Sequence, residues 1–446
     1  MALTSCRLLS IRLFRDWPVY SLLLAFGQII SANSYQIVLL TGESGQASKK
    51  LYVVAGVYIA TSMFWWFMVR RFKAVYALSL PWLLYGLAFL LLGIASFIDD
   101  YVDRGMTQDV ATGFYAAAAS SGAIIFSLNF GDESGAPTKL WAIRALIITA
   151  FAQLYSAALW FWGSLMSNPF HPRGSASGNI GSSSVPKGIV IGIPIAILLW
   201  AIGIVLFLGL PDYYRQSPET IPGYYVSLFR RKIVPWFFVM VILQNYWLSA
   251  PYGRSWEFLF SSKHVPGWAI FLLAVLFFVV LWSGLLVVFT VYSNSHPWLL
   301  PIFATGLGLG VPRWAQELWG TSGIGLYLPW AGGPVASAII SRCLWLWLGL
   351  LDTVQIVGLG MMLIATLTRQ HVMGVLIGSQ IVGSVATMVA RATSPNASHA
   401  TVTFPDFTEG AMPGLGKKWF WICLAFQLVI PFGFFKFFRK EQVTKP

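Results

Sequence analysis

The sequence predicts an all-α fold, a polytopic integral membrane bundle of about twelve spans in two six-helix halves, and three observations predict it. Hydrophobic residues make up 57% of the 446-residue chain and charged residues only 10%, against roughly 25% charge in soluble domains. Uncharged apolar runs of about 20 residues recur along it, the length at which a helix crosses roughly 30 Å of hydrocarbon. These runs are continuous and lack the alternation of a membrane barrel, so each segment must satisfy its backbone donors and acceptors internally, as a helix does. Six spans, a polar connector and six more spans give the outline of a major-facilitator-like arrangement.

The elements follow in order. Residues 1–16 carry Arg7, Arg12 and Arg15 but no separate cleavable apolar region, so they are expected to be a cytosolic N-terminal segment and not a removed signal. The first membrane half, 17–210, is expected to hold spans at 17–40, 51–69, 74–97, 110–130, 140–166 and 188–210. Arg70, Arg71 and Lys73 then fall in a cytosolic loop, and Asp99, Asp100 and Asp103 in an outer one, as the positive-inside bias requires. The Gly- and Ser-rich stretch 167–187 reads as a flexible outer loop.

Residues 211–232 read as a cytosolic connector. Arg215, Arg230, Arg231 and Lys232 outnumber Asp212 and Glu219 there, and Tyr213, Tyr214, Tyr224 and Tyr225 suit a headgroup-level position with half-buried rings and wet hydroxyls. An ordinary solvated linker is the alternative. The second half, 233–437, is expected to hold spans at 233–250, 267–291, 298–311, 343–367, 372–390 and 418–437. The segment 298–311 contains Pro301, Gly306, Gly308 and Gly310 and reads as a broken or re-entrant helix. The charge-free stretch 318–341 competes with it as a span. Residues 438–446 form a basic cytosolic tail, and the sequon at Asn396 lies in a loop expected outside.

A formal net charge of +13 would point to nucleic acid in a soluble protein. Here the basic residues lie in short flanks of apolar runs, so the lipid bilayer is the expected partner and nucleic acid is not. Cys6, Cys343 and Cys423 have neither metal-ligand spacing nor a disulfide framework. His171, His264, His296, His371 and His399 lack a carboxylate or cysteine at ligand spacing. The run Gly306 to Gly310 lacks the spacing and preceding strand of a dinucleotide fingerprint. No catalytic residue, metal or cofactor is therefore expected in this chain.

Polar residues inside spans are the candidates for function, because hydrocarbon makes them costly unless they face protein or water. Gln153, Ser156, Trp160 and Ser164 are spaced three, four and four and share one helical face. Trp345, Asp352 and Gln355 share another, as do Gln380, Ser384, Thr387 and Arg391. The first span adds Gln28, Asn33, Tyr35 and Gln36 over a broader sector. An aromatic ring beside amides, hydroxyls and one acid matches a saccharide, which offers hydroxyls at its edge and an apolar C–H face. Interhelical hydrogen bonding is the competing explanation for the amides and serines. Asp352 near mid-span is a functional candidate by default, with an ion pair to Arg144 or Arg342 as its structural alternative.

Several uncommon strings carry a resemblance: RDWPVYSLLLAFGQII from Arg15, NSYQIVLLTGE from Asn33, LNFGDESGAP from Leu128, RWAQELWGTSGIGLYLPWAG from Arg313 and ARATSP from Ala390. Over nearly its whole length the chain resembles the C-terminal multipass region of fungal cell-wall α-1,3-glucan synthases. The resemblance implies an outer amylase-like domain, a cytosolic glycogen-synthase-like domain that uses UDP-glucose and precedes residue 1, and a membrane region, of which only the last matches these residues. The family's catalytic residues lie in the other parts and none is carried over. The expected role is to anchor the synthase in the plasma membrane, with both termini cytosolic, and to form a conduit exporting nascent α-1,3-glucan for the cell wall. An independent major-facilitator-like carrier of sugars or small solutes, and a passive membrane anchor, are the competing readings.

Overall fold

The computed structural model describes residues 12–13, 17–40, 48–95, 97–130, 187–216, 229–248, 369–393 and 432–438, with isolated positions in 140–155, at 363 and 367, and at 429, 440 and 441. Its elements are a short antiparallel pair, β1 (Arg12–Leu13) with β2 (Trp17–Pro18), then α1 (Val19–Leu40), α2 (Ser48–Arg71), α3 (Ala74–Ala95), α4 (Tyr101–Ala119), α5 (Gly122–Phe130) and α6 (Lys187–Gly209). A 3-10 turn (Asp212–Arg215), α7 (Ile233–Leu248) and α8 (Arg369–Thr393) follow. In the β pair Arg12 faces Pro18 and Leu13 faces Trp17. The chain divides into two compact units, one of Met1–Asp132, Ala176–Tyr224 and Arg369–Ser384, the other of Glu133–Ser175, Tyr225–Thr368 and Val385–Pro446.

Helices α1, α2, α3, α6, α7 and α8 fall on expected spans to within a few residues. Among the described residues, Ala74–Ala95 and Gly192–Gly209 are long and apolar enough by composition to cross a membrane, and Val19–Ala32, Ile233–Ile242 and His371–Ala386 are shorter apolar stretches. On α6, Ile197, Ile204 and Leu208 lie on one stripe and are more than half exposed, the outward apolar face that a lipid environment accepts.

The region expected as an acidic outer loop and a span at 110–130 differs. The helix begins nine residues earlier, because Asp100 accepts from the Val102 N–H at 3.3 Å as its N-cap and Asp103 lies in its first turn. Carboxylates are favoured at that positive end of a helix. The helix then stops at Ser120 and Ser121, whose hydroxyls donate to the carbonyls of Ala117 and Ala118 at 2.9 and 2.6 Å. Serine side chains compete for helical carbonyls in this way, and α5 restarts with Ile124 and Ile125 N–H groups bonded to the Ser121 carbonyl.

The connector tyrosines also correct the sequence reading. Tyr214 is 3% exposed rather than half buried, whereas Tyr213 is exposed. Both belong to a 3-10 turn, in which successive side chains point about 120° apart, so one turns inward and its neighbour outward.

The first unit is built around α3. Trp82 is its wedge: the indole is fully buried, and it fills the space left by two glycines. A Cβ on Gly27 of α1 would lie 2.6 Å from the indole, and one on Gly203 of α6 would lie 3.0 Å from the Trp82 Cβ. Helices α3 and α6 come into backbone contact at Gly192, where a Cβ would stand 2.8 Å from the Phe89 carbonyl oxygen and 3.3 Å from the Gly93 nitrogen. In hydrocarbon, where lipid tails compete for apolar surface, such close packing through small residues is what holds helices together. Because the obstacle at Gly192 is backbone, no rotamer change can relieve it. Gly192→Val is expected to cost about 1–3 kcal/mol as overpacking, measured by thermal unfolding in micelles. Gly56→Ala, where a Cβ meets nothing within 4 Å, should gain up to about 1 kcal/mol from helix propensity alone.

Contacts also bring several helix ends together in this unit. The ring of Tyr20 at the start of α1 meets Tyr214 edge-on at 5.6 Å, and the Tyr214 hydroxyl donates to that of Tyr20 at 3.3 Å. Tyr76 at the start of α3 lies 6.0 Å from Phe207 at the end of α6. The start of α1, the Arg70–Lys73 turn that leads into α3 and the beginning of the connector therefore share one end. In the second unit, the start of α7 packs against residues 432–441: a Cβ on Gly433 would lie 2.5 Å from the Trp236 indole, and Ile233, Val234, Phe237, Phe434 and Phe438 are buried.

Candidate functional site

Inside the first unit the interior faces of α1, α3 and α4 assemble a cluster of rings and polar groups. Gln28 and Tyr35, seven residues apart on α1, lie on one side of that helix. The Tyr85 hydroxyl of α3 donates to Gln28 Oε1 at 3.4 Å. Tyr35 meets Thr112 of α4 at 3.0 Å between hydroxyls. Thr112 Oγ1 also donates to the Gln108 carbonyl at 2.9 Å; a hydroxyl has one proton, so Tyr35 is the donor in the pair. The Tyr35 and Tyr115 rings stack at 4.1 Å with 6° between planes, Phe89 meets Tyr35 edge-on at 5.5 Å, and Tyr85 lies 5.9 Å from Tyr115. Tyr35 and Tyr85 are fully buried, while Gln28 and Tyr115 are partly exposed at the border of the cluster.

A second string of hydrogen bonds starts on α2. Thr61 donates to the Val57 carbonyl at 2.7 Å, and its oxygen lies 2.8 Å from that of Ser120, whose single proton is shared between Thr61 and the Ala117 carbonyl. The Trp65 indole N–H donates to the Ala117 carbonyl at 2.8 Å. One residue after Thr61, Ser62 donates to Gln380 Oε1 on α8 at 3.2 Å. That bond joins positions more than three hundred residues apart within one compact unit.

The cluster is neutral: amides, hydroxyls and flat rings. Such groups can orient a hydroxyl-rich ligand by hydrogen bonds and by stacking on its apolar face. The Gln28 Nε2 is buried and makes no hydrogen bond among the described residues, so this amide retains a donor at the border of the cluster. Among the described residues no group of three metal-ligating side chains occurs.

Of the candidates read from sequence, the structure engages Gln28 with Tyr85 and Gln380 with Ser62, and leaves Ser384 half buried on α8. These two amides bridge helices, as the hydrogen-bonding explanation foresees. The side chains of Asn33 and Gln36, and the positions Gln153, Ser156, Trp160, Trp345, Asp352, Gln355 and Asn396, lie outside the described residues, as do most of the spans expected between 250 and 368. Arg144 is 2% exposed. Sequence reasoning missed Tyr85, Thr112, Tyr115 and Ser62. For α4 a signal existed: Gln108, Thr112 and Tyr115 fall at i, i+4 and i+7, one helical stripe.

Comparison with known proteins fixes the lineage. The family model for the Mok13-like transmembrane domain matches residues 7–443. Cell wall alpha-1,3-glucan synthase mok13 of Schizosaccharomyces pombe is 45% identical over 438 residues, covering 97% of this chain and 18% of that protein. Cell wall alpha-1,3-glucan synthase ags1 of the same yeast is 44% identical over 435 residues, with the same shares. The chain thus spans under a fifth of the length of these curated relatives. Among solved structures, a bacterial homologue of the human lysosomal transporter Spinster, inward-facing and unoccupied, superposes with a TM-score of 0.50 at 11% identity, covering 100% of this chain and 99% of the other. That likeness concerns fold alone and agrees with a major-facilitator-like helical bundle. The chain belongs to the Mok13-like transmembrane-domain family: it is a multipass membrane protein homologous to the membrane region of the fungal cell-wall α-1,3-glucan synthases.

Proposed function

We propose that this chain anchors a glucan synthase in the plasma membrane and forms a conduit through which nascent α-1,3-glucan leaves the cell. The observation that carries this reading is the alignment of 97% of the chain with the membrane portion of proteins named as cell-wall α-1,3-glucan synthases. The neutral aromatic and amide cluster of α1, α3 and α4 supports it, since its chemistry suits sugar hydroxyls and faces. The partners under this reading are α-glucan and a cytosolic synthase domain. Purified chain in sealed vesicles is expected to pass linear glucan oligosaccharides while excluding charged solutes of similar size. A vesicle as tight to the oligosaccharide as empty lipid would leave only the anchor. The Spinster-like fold favours one second reading, a carrier for a small solute, which would pass monosaccharides and reject polymers.

The proposed orientation puts both termini and the connector in the cytosol and Asn396 outside. Its support is geometric as well as compositional. The start of α1, the Arg70–Lys73 turn and the connector share one end of the first unit. In the second, the tail reaches the end of the connector through Glu441, which accepts from the Lys232 and Ile233 N–H groups at 2.8 and 3.2 Å. Those ends carry the basic residues that favour the cytosolic side. In microsomes, Asn396 is expected to be glycosylated and tags on both termini to be digested by added protease. A lumenal, protected C-terminal tag with an unglycosylated Asn396 would invert the orientation.

A further inference from the structure

The surface where α7 begins is strongly basic. Arg230, Lys232, Lys436 and Lys440 are exposed there and Arg231 is half buried. The Lys232 and Lys436 ammonium groups both lie over the Phe437 ring, 5.6 and 5.8 Å from its centroid. The ring attracts each cation, yet the shared site brings two like charges together. Glu441 is the one described carboxylate in this cluster, and it is committed to capping α7 through the Lys232 and Ile233 N–H groups, while Arg231 donates to its carbonyl at 3.4 Å. The positive end of the helix is therefore already occupied. Five cations remain against one acid.

What borders the cluster identifies its counter-ion. Phe229, Phe432 and Phe435 are 54%, 73% and 38% exposed, next to Arg230 in one segment and to Lys436 in the other. Exposed aromatic side chains beside several cations form an amphipathic border: one side takes an anion and the other takes an acyl chain. A free anion would leave the aromatic side uncovered. We infer that Arg230, Arg231, Lys232, Lys436 and Lys440 form a binding site for the headgroup of an anionic phospholipid, whose acyl chains pack against Phe229, Phe432 and Phe435. A lipid bound there would hold the connector end and the tail together by neutralising the repulsion between them.

Full chain purified in micelles and titrated with phosphatidylserine or phosphatidylcholine tests this, with retained lipid counted by native mass spectrometry. Phosphatidylserine should be retained in preference, and Arg230→Gln, Lys436→Gln and Lys440→Gln should each weaken retention about fivefold, the effect of one juxtamembrane cation. Arg71→Gln and Lys73→Gln, in the other basic turn, are charge-matched controls and should leave retention unchanged. An unaltered melting temperature of the lipid-free variants shows that the fold survives; if one unfolds, Phe432→Ser, exposed and outside the charge cluster, replaces it and should weaken retention without changing charge. Equal retention of both lipids would overturn the site. So would equal losses in the control variants, or displacement of the lipid by inorganic phosphate at matched concentration.

Discussion

Trp82→Ala is expected to destabilise the first unit by about 3–5 kcal/mol, the range for truncating a fully buried aromatic side chain. The indole is enclosed by α1, α3 and α6, with Gly27 pressed against the ring and Gly203 against the Trp82 Cβ, and neither glycine has a side chain that can move into the void. Its N–H donates to the Leu78 carbonyl of its own helix at 2.7 Å, so truncation removes packing without stranding a partner in another helix. In a membrane the loss is one of dispersion contacts more than of hydration, because the unfolded reference also lies in lipid. Thermal unfolding in micelles and abundance in membranes measure it. The glycine opposite supplies a sharper test. Gly27→Ala alone should clash with the indole and destabilise, whereas in the Trp82→Ala background the new methyl enters the cavity. The two changes should therefore couple by about 0.5–3 kcal/mol toward the stable side. Strict additivity would mean that the wedge does not set the α1–α3 distance.

How much of this was legible in the sequence depends on whether the cause was local. Helices α1, α2, α3, α6, α7 and α8 were legible because an uncharged apolar run of span length has one low-energy form in hydrocarbon. Helix α4 was not, since Asp103, Arg104 and Asp109 interrupt hydropathy although a helix N-terminus favours Asp103 and the Asp100 cap. Reading cap chemistry before hydropathy would have found it. The site is the harder case. Gln28 and Tyr35 could be singled out as polar groups in a span, but their partners Tyr85 and Thr112 are set by the rotation of α3 and α4 about their axes, which no local pattern encodes. The Ser62 to Gln380 bond is further from reach, because it depends on which distant helix packs on α2. The family was legible for a different reason: long uncommon strings survive where pairwise contacts leave no trace.

The proposed conduit has its most demanding test at Asp352. With Trp345 and Gln355 it falls on one face of an expected span, the seven-residue spacing bringing Trp345 and Asp352 within about 20° around a helix. A carboxylate near a span centre opposes insertion by about 2.5–3.5 kcal/mol on translocon scales, so an idle one would be selected against. Two roles justify that cost, and they predict opposite outcomes. If Asp352 faces an aqueous or saccharide-filled path, it is solvated or bonded to sugar hydroxyls, and Asp352→Asn keeps shape and removes only the charge. Expression and melting temperature should then hold, while α-glucan delivery to the cell wall by the full synthase falls about tenfold or more, the loss of one charge-assisted hydrogen bond to the moving chain. If Asp352 instead pairs with a buried arginine such as Arg144 or Arg342, the same change leaves an uncompensated cation and costs about 3–5 kcal/mol, seen first as missing protein. The expected result is the former: a stable, abundant Asp352→Asn protein with little wall α-glucan. Gln355→Cys, made after Cys343 and Cys423 are replaced, should react with a membrane-impermeant thiol reagent. A stable and fully active Asp352→Asn together with an unreactive Gln355→Cys would remove this helix from the conduit.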